Sequence, residues 1–255
     1  MTRAPRPRPS RSEGLSWFTS VMSVAANIAL IEQRIARAAR RAGRNPDDTV
    51  LMAVTKTQPS EHIREAYEAG QRLFGENRVQ DFAAKAGSLQ DLQNAEWHMI
   101  GHLQTNKAAK TAELFSAVDS VDSLKLAEKL DVAARKLGRK LDVLIEINVG
   151  GESAKSGVAP DSSALEDLLL AAPRLEALVF RGLMTVPPFT DDPERARPCF
   201  RKLRELRDAI AARKLPTIAM DQLSMGMSHD FEVAIEEGST CVRVGTAIFG
   251  ERTKT

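Results

Sequence analysis

The sequence predicts an α/β protein built on a single closed (β/α)8 barrel, also called a TIM barrel, with one extra helix at its N-terminal side. Short apolar segments alternate with helical patterns eight times along the chain, which is typical of a parallel sheet connected by helices. A chain of 255 residues is long enough for eight such units in one domain. No internal repeat or low-complexity linker follows residue 22, so we expect one barrel and no second domain.

The first elements have the clearest patterns. A helix is predicted at about 23–42, where Ile28, Ile31 and Ile35 recur at helical spacing and Gly43 is suited to end it. The apolar run 50–54 predicts a buried parallel strand. The other strands are predicted at 71–74, 96–101, 115–118, 141–149, 178–186, 222–225 and 240–244. The helices between them are predicted at 63–69, 78–87, 104–113, 123–138, 161–172, 193–214 and 230–237.

The first residues have a different composition. Arginine alternates with proline between Arg3 and Arg11, which favours an extended, disordered tail. The segment 15–30 resembles the apolar part of a signal peptide but contains too many Ser, Thr and Asn side chains. We therefore expect residues 1–21 to be a disordered extension and residues 22–255 to form the barrel domain.

Composition excludes several classes of function. Lys and Arg number 36 against 34 Asp and Glu, and a net charge of +2 does not favour a nucleic-acid partner. No apolar run approaches the roughly 18 residues of a membrane helix. Cys199 and Cys241 form neither a disulfide framework nor a CxxC metal spacing, and this usage indicates a reducing compartment. We expect a cytoplasmic protein without a metal site.

Lys56 is the residue around which the candidate site is organised. It follows the first predicted strand, and the carboxyl ends of barrel strands are where such proteins keep their chemistry. Partial burial disfavours the charged form of an amine, and a neutral amine can attack a carbonyl and hold it as a Schiff base. The alternative is an ordinary solvated lysine, the common state of this residue.

The last two loops of the predicted barrel are suited to phosphate. They read LSMGMS, residues 223–228, and VRVGTAIFG, residues 242–250. Glycine lets a phosphate approach the backbone, and hydroxyls donate to its oxygens, so Ser224, Gly245 and Thr246 are the candidate contacts. The alternative is that both segments are tight turns with no ligand.

A lysine that forms a Schiff base and two phosphate loops together predict pyridoxal 5′-phosphate (PLP) as the cofactor. Arg243 lies two residues before Gly245 and is a candidate partner for the pyridine nitrogen, a position that arginine or aspartate commonly fills. The alternative is a salt bridge inside the barrel with Glu76 or Glu232.

Two further residues are candidates for the mouth of the barrel. Asn77 follows the second predicted strand. His98 lies within the third strand next to Trp97, so one of these two side chains faces the interior and the other faces the helices. We treat His98 as a candidate neighbour of the cofactor ring, with a satisfied core histidine as the alternative.

Seven motifs occur in an order and at separations that resemble a known family: AVTKTQP, FGENRVQD, EWHMIGHLQTNK, KSG, RGLMTVP, LSMGMSHD and VRVGTAIFG. Together they look like the PLP homeostasis protein family, whose single barrels are similar to the N-terminal domain of alanine racemase. The resemblance covers about residues 24–250. It implies a cytosolic, mostly monomeric PLP carrier without established catalytic activity. It also implies Lys56 as the aldimine lysine, Arg243 near the ring nitrogen, and Ser224, Gly245 and Thr246 on the phosphate.

Three functions are compatible with these residues, and a PLP carrier is the first. The second is an amino-acid racemase, which needs another acid/base group, and the only tyrosine of the chain, Tyr67, falls in a predicted outer helix. The third is a Schiff-base aldolase, which leaves Arg243 unexplained. For the carrier, the candidate partners are enzymes that synthesise PLP and PLP-dependent apoenzymes that receive it.

Overall fold

The computed structural model describes residues 23–151 and 156–250, and it contains the predicted barrel. Eight parallel strands pair in chain order, and β8 pairs with β1 to close the sheet. The strands are β1 (Val50–Val54), β2 (Leu73–Glu76), β3 (Glu96–Met99), β4 (Ala117–Val121), β5 (Leu141–Glu146), β6 (Leu178–Met184), β7 (Ile218–Met227) and β8 (Cys241–Val244). The expectation for residues 1–21 lies outside the described residues.

Helices connect the strands. They are α1 (Val24–Arg41), α2 (Ser60–Glu68), α3 (Val79–Ala86), α4 (Ala108–Leu114), α5 (Leu124–Lys136), α6 (Ser163–Ala171), α7 (Arg197–Ala212), α8 (Phe231–Glu236) and α9 (Thr246–Phe249). None of these helices is both long enough and apolar enough to cross a membrane. Within the same described ranges, His, Cys, Asp and Glu side chains do not gather into a group of three or more that could hold a metal ion.

The extra helix α1 is confirmed and has a defined start. Ser23 caps it, because its hydroxyl oxygen accepts a hydrogen bond from the Ala26 N–H at 3.2 Å. Its isoleucines at helical spacing are buried, as the periodicity predicts. The Asn27 side chain donates to the Ile248 carbonyl at 2.8 Å, which ties α1 to α9 beside the closure of the barrel.

Several boundaries differ from the predicted ones. The strand predicted at 71–74 runs from Leu73 to Glu76, because its pairing with β3 begins at Leu73, opposite Glu96, and ends at Glu76, opposite Met99. The strand predicted at 222–225 is longer, running from Ile218 to Met227. The short helix α9 is not predicted at all, since one turn of helix is too short to show a hydrophobic period.

The apolar core lies between the sheet and the helices. Its largest fully buried side chains include Phe74, Phe115, Phe180, Phe200 and Phe231. Trp97 belongs to this layer and stacks on Phe74 with ring centroids 4.8 Å apart, so its neighbour His98 faces the other side of the sheet. Polar groups lie inside the barrel, and they form the candidate site.

Candidate functional site

Lys56 lies in a tight turn directly after β1. The Gln58 N–H donates to the Thr55 carbonyl at 3.0 Å, which closes the turn around Lys56 and Thr57. Thr57 has a φ of +62°, a left-handed conformation that is unfavourable for a β-branched residue. Lys56 itself is half-buried. The sequence therefore predicts its place correctly, at the carboxyl end of a barrel strand.

Asn77 follows β2 and is held from behind by Gly101. A Cβ on Gly101 would lie 2.9 Å from the Asn77 Cα, so a larger residue would displace Asn77. The side-chain oxygen of Asn77 is buried and accepts no hydrogen bond from the described residues. Because an unsatisfied buried amide oxygen is costly, this atom is suited to a ligand that donates a hydrogen bond.

Arg243 is a buried cation inside the barrel. Its guanidinium donates to the Ser224 hydroxyl at 2.6 Å and to the Thr185 carbonyl at 2.8 Å. Burial lowers the pKa of Arg243, while Cys241, Asp119, Asp230 and Glu146 oppose that shift.

The predicted alternative, a salt bridge from Arg243 to Glu76 or Glu232, is not what the described residues form. Glu76 pairs with Lys85 at 2.6 Å and Glu232 pairs with Arg34 at 3.2 Å. Among the described residues, no carboxylate lies within ion-pair distance of Arg243. Its fixed positive charge therefore acts on whatever the barrel encloses.

The two predicted phosphate loops meet, but through a different serine. Ser224 is fully buried beneath Arg243. The hydroxyl oxygen of Ser228 instead accepts hydrogen bonds from the Gly245 N–H at 3.3 Å and from the Ala247 N–H at 3.5 Å. Thr246 is exposed and begins α9. The structure thus gathers Ser228, Gly245 and Thr246 at one point and sets Ser224 against Arg243.

The bend in β7 explains why the register of these serines is hard to read from the sequence. Gly226 has a φ of +95°, and a Cβ there would lie 2.6 Å from the Ala234 Cβ. The pairing of β7 with β8 shifts register between Ser224 and Met227. The Ser-x-Gly-x-Ser pattern at 224–228 is the only sequence signal for Ser228, and it does not decide which serine approaches Gly245.

His98 faces the inside of the barrel. The sequence predicts that either His98 or Trp97 does so. Its Nδ1 atom is 3.0 Å from Oδ1 of the buried Asp119. Burial alone would lower the pKa of His98, but Asp119 outweighs it and the pKa is raised. His98 and Asp119 line a cavity of about 900 Å³ with Val50, Glu96 and Thr240, at the amino-terminal ends of the strands. None of the other predicted site residues lines this cavity.

The sequence and the fold both match known proteins. The family model described as "Alanine racemase, N-terminal domain" matches residues 26–253. The chain is 47% identical over 232 residues to the pyridoxal phosphate homeostasis protein of Aquifex aeolicus, covering 91% of this chain and 99% of that protein. It is 42% identical to the protein of the same name in Escherichia coli K12, covering 90% and 97%.

Solved structures show the same similarity. PipY of Synechococcus elongatus, solved with PLP bound, is 39% identical with a TM-score of 0.74, covering 86% of this chain and all of PipY. The alanine racemase of Streptomyces coelicolor shares the fold at 19% identity and a TM-score of 0.66, and the match spans 59% of that enzyme. The chain therefore belongs to the alanine racemase N-terminal domain family and, within it, to the pyridoxal phosphate homeostasis proteins.

Proposed function

We propose that this protein binds PLP and takes part in intracellular PLP homeostasis, holding the cofactor as an aldimine on Lys56. The observation that carries the proposal is the buried guanidinium of Arg243, which no carboxylate neutralises among the described residues, on the strand that pairs with the strand before Lys56. A guanidinium in that position is suited to donate a hydrogen bond to the unprotonated ring nitrogen. An aldolase that uses lysine alone has no need of such a cation.

The other residues fit the remaining parts of the cofactor. The Thr246 N–H, with the hydroxyls of Thr246 and Ser228, supplies donors for a phosphate. We assign Ser224 a supporting role, because its hydroxyl already accepts a hydrogen bond from Arg243. The Asn77 amide oxygen, which accepts no hydrogen bond from the described part of the chain, provides an acceptor for a hydroxyl group. His98 is the candidate with the least support, since it lines the cavity at the other end of the barrel.

We infer that the protein stores and releases PLP without catalysing amino-acid chemistry. PLP supplies an electrophilic aldehyde and an electron-withdrawing ring when bound. A permanent cation beside the ring nitrogen disfavours protonation of the ring and weakens it as an electron sink. The proposal includes a cytoplasmic location, a monomeric state and transfer of PLP between synthetic enzymes and apoenzymes.

The test is chemical capture of the lysine. We expect purified protein incubated with PLP to turn yellow, and borohydride to fix a pyridoxyl group on the peptide that contains Lys56, as read by mass spectrometry. Lys56→Ala should lose this label but keep measurable affinity for PLP, because the phosphate contacts remain. Lys110→Ala, which removes an exposed lysine on α4, is the matched control and should label like the wild type. A colourless wild-type protein with no label at Lys56 would refute the proposal.

A further inference from the structure

A buried ion pair lies directly behind the turn that carries Lys56. Glu76, the last residue of β2, is fully buried, and its Oε1 atom is 2.6 Å from Lys85 Nζ on α3. The Lys85 side chain is only 13% exposed. Burial raises the pKa of Glu76, while Lys85 opposes the shift and Asp81 adds to it. Desolvating two charges is expensive, so a pair of this kind is weak evidence for a stabilising role.

The contacts of the pair converge on the turn. Lys85 Nζ donates to the Thr55 carbonyl at 2.9 Å and to the Gln58 carbonyl at 3.3 Å. The Thr55 hydroxyl donates to Glu76 Oε1 at 2.5 Å. Thr55 and Gln58 are the first and last residues of the turn around Lys56. The pair therefore holds both ends of the turn to β2 and α3.

The turn needs such support. Thr57, next to Lys56, has the left-handed φ of +62° that β-branched residues avoid. Strained conformations of this kind persist only when the surrounding structure holds them, and they are concentrated at functional sites. The Gln58 N–H closes the turn on the Thr55 carbonyl, and the Thr55 N–H donates to the Gly75 carbonyl at 2.9 Å. Lys85 adds bonds to both the first and the last residue of the turn.

We propose that Glu76 and Lys85 are positioning residues for Lys56: they fix its turn so that the amine meets the aldehyde of a bound phosphate ligand. This inference rests on the proposed function. In the covalent step, the neutral amine of Lys56 bonds to the aldehyde carbon, its two hydrogens pass to the aldehyde oxygen, and that oxygen leaves as water. The outcome therefore depends on where Nζ lies. The pair touches neither Arg243 nor the Gly245 turn, and we expect it to affect the covalent step without affecting phosphate affinity.

The test separates covalent capture from non-covalent binding. Glu76→Gln, Lys85→Met and Thr55→Val each remove part of the link to the turn. Mixing each variant with PLP should give a rate constant for covalent capture about 10- to 100-fold below the wild type, as misplacement of a reacting group does elsewhere. Affinity for pyridoxine 5′-phosphate, which lacks the aldehyde, should stay at the wild-type value. Lys110→Met, which breaks the exposed pair with Glu113, is the control and should change neither quantity.

A second readout needs no cofactor. The pH dependence of acylation of Lys56, followed by peptide mass spectrometry in the apo-protein, should shift its midpoint in the Glu76 and Lys85 variants. The midpoints of exposed lysines should stay fixed. Thr55→Val keeps the ion pair between Glu76 and Lys85 and should shift the pH midpoint of Lys56 acylation by a smaller amount. This variant still tests the proposal if the Glu76 and Lys85 variants do not fold.

Different results refute the proposed function and the positioning role. If the wild-type protein is not labelled at Lys56 by PLP and borohydride, the proposed function is wrong. If the wild type is labelled while the folded variants capture PLP at the wild-type rate and keep the wild-type pH midpoint, the positioning role is wrong. Loss of pyridoxine 5′-phosphate affinity together with the slower capture would also overturn it, because the pair would then support the whole site.

Discussion

Arg243 shows how a single side chain defines the chemical character of the barrel interior. It is 3% exposed, yet its only hydrogen bonds among the described residues go to a serine hydroxyl and a backbone carbonyl. Burying a charge without an ion-pair partner is costly, and stability alone does not account for such a residue. A ligand that accepts a hydrogen bond from the Arg243 guanidinium would offset the cost of burying it.

Replacing Arg243 with glutamine tests this reading. The Arg243→Gln variant should alter the absorption spectrum of bound PLP more than it alters affinity, because the ring contact tunes the electronics while the phosphate provides most of the binding. Titration followed by absorbance measures both quantities. Ser228→Ala is the matched contrast and should weaken affinity with little spectral change, since its hydroxyl lies at the Gly245 turn. An unchanged spectrum for Arg243→Gln would place the guanidinium away from the ring.

The sequence predicts which way His98 faces but not its position along the barrel axis. Strand alternation correctly predicts that Trp97 and His98 face opposite sides of the sheet. It does not predict how far along the barrel axis His98 lies, because that depends on the stagger between neighbouring strands. His98 consequently meets Asp119 in the cavity at the amino-terminal ends, and its role beside the cofactor stays a prediction.

Among the elements, α7 and α8 are joined by a compact charge cluster outside the site. Arg197, Arg201 and Arg204 lie on one face of α7 and reach Glu237 at 3.2, 3.0 and 3.1 Å. Glu237 follows α8 and its side chain is 5% exposed. Burial opposes ionisation, but hydrogen bonds from Arg201 and Arg197 outweigh it and lower the pKa of Glu237.

This cluster predicts a pH-dependent contribution to stability. Glu237→Gln should lower the free energy of unfolding by about 1–2 kcal/mol near neutral pH, through the loss of charge-assisted hydrogen bonds. Because the pKa of Glu237 is depressed in the folded state, this contribution is present above the unfolded value of about 4.3 and is lost as the pH falls through the folded value. Denaturant unfolding of both proteins across that range measures the difference.

Glu194 offers the control for that measurement. It pairs with Arg197 at 2.7 Å but is 59% exposed, so Glu194→Gln should change stability little at any pH. If Glu194→Gln and Glu237→Gln destabilise equally, or if the Glu237 effect grows in acid, the cluster does not act as described.

The positions of the helices and strands are largely predictable from the sequence, and the errors in their boundaries have local causes. Alternation and periodicity locate all eight strands and the long helices, because each buries an apolar face. Boundaries depend on where backbone pairing begins, as at Leu73 opposite Glu96, and on irregular pairing, such as the register shift in β7. Neither leaves a repeating pattern in the sequence.

For the whole molecule, closure of the barrel is what assembles the site. β1 and β8 are far apart in the chain but are neighbours in the sheet, with Met52 opposite Arg243. The lysine turn and the cationic strand are therefore adjacent because the fold is closed. The prediction of eight βα units in a closed barrel places Lys56 and Arg243 at one mouth, whereas the place of Ser228 depends on the observed bend in β7.

The arrangement around the site also bears on catalysis. Racemisation requires a second acid/base group on the face of the cofactor opposite the lysine. The chain has one tyrosine, Tyr67 on α2, and its hydroxyl donates to the Gln93 carbonyl at 2.9 Å on the outside of the barrel. The ring of Tyr67 is covered by Arg72, 3.9 Å from the centroid. Tyr67 is thus held among the outer elements, on the helix side of the sheet.

We therefore expect the PLP-loaded protein to leave the α-protons of amino acids in place. Incubation with L-alanine, L-serine and L-lysine in heavy water, followed by NMR, should show exchange no faster than free PLP produces at the same concentration. Lys56→Ala with added PLP is the control for exchange that does not depend on the lysine. Exchange at an enzyme-like rate that disappears in Lys56→Ala would identify an active racemase-type enzyme and overturn the non-catalytic assignment. Retention of that activity in Tyr67→Phe would then direct the search for the second acid/base group to other residues of the barrel mouth.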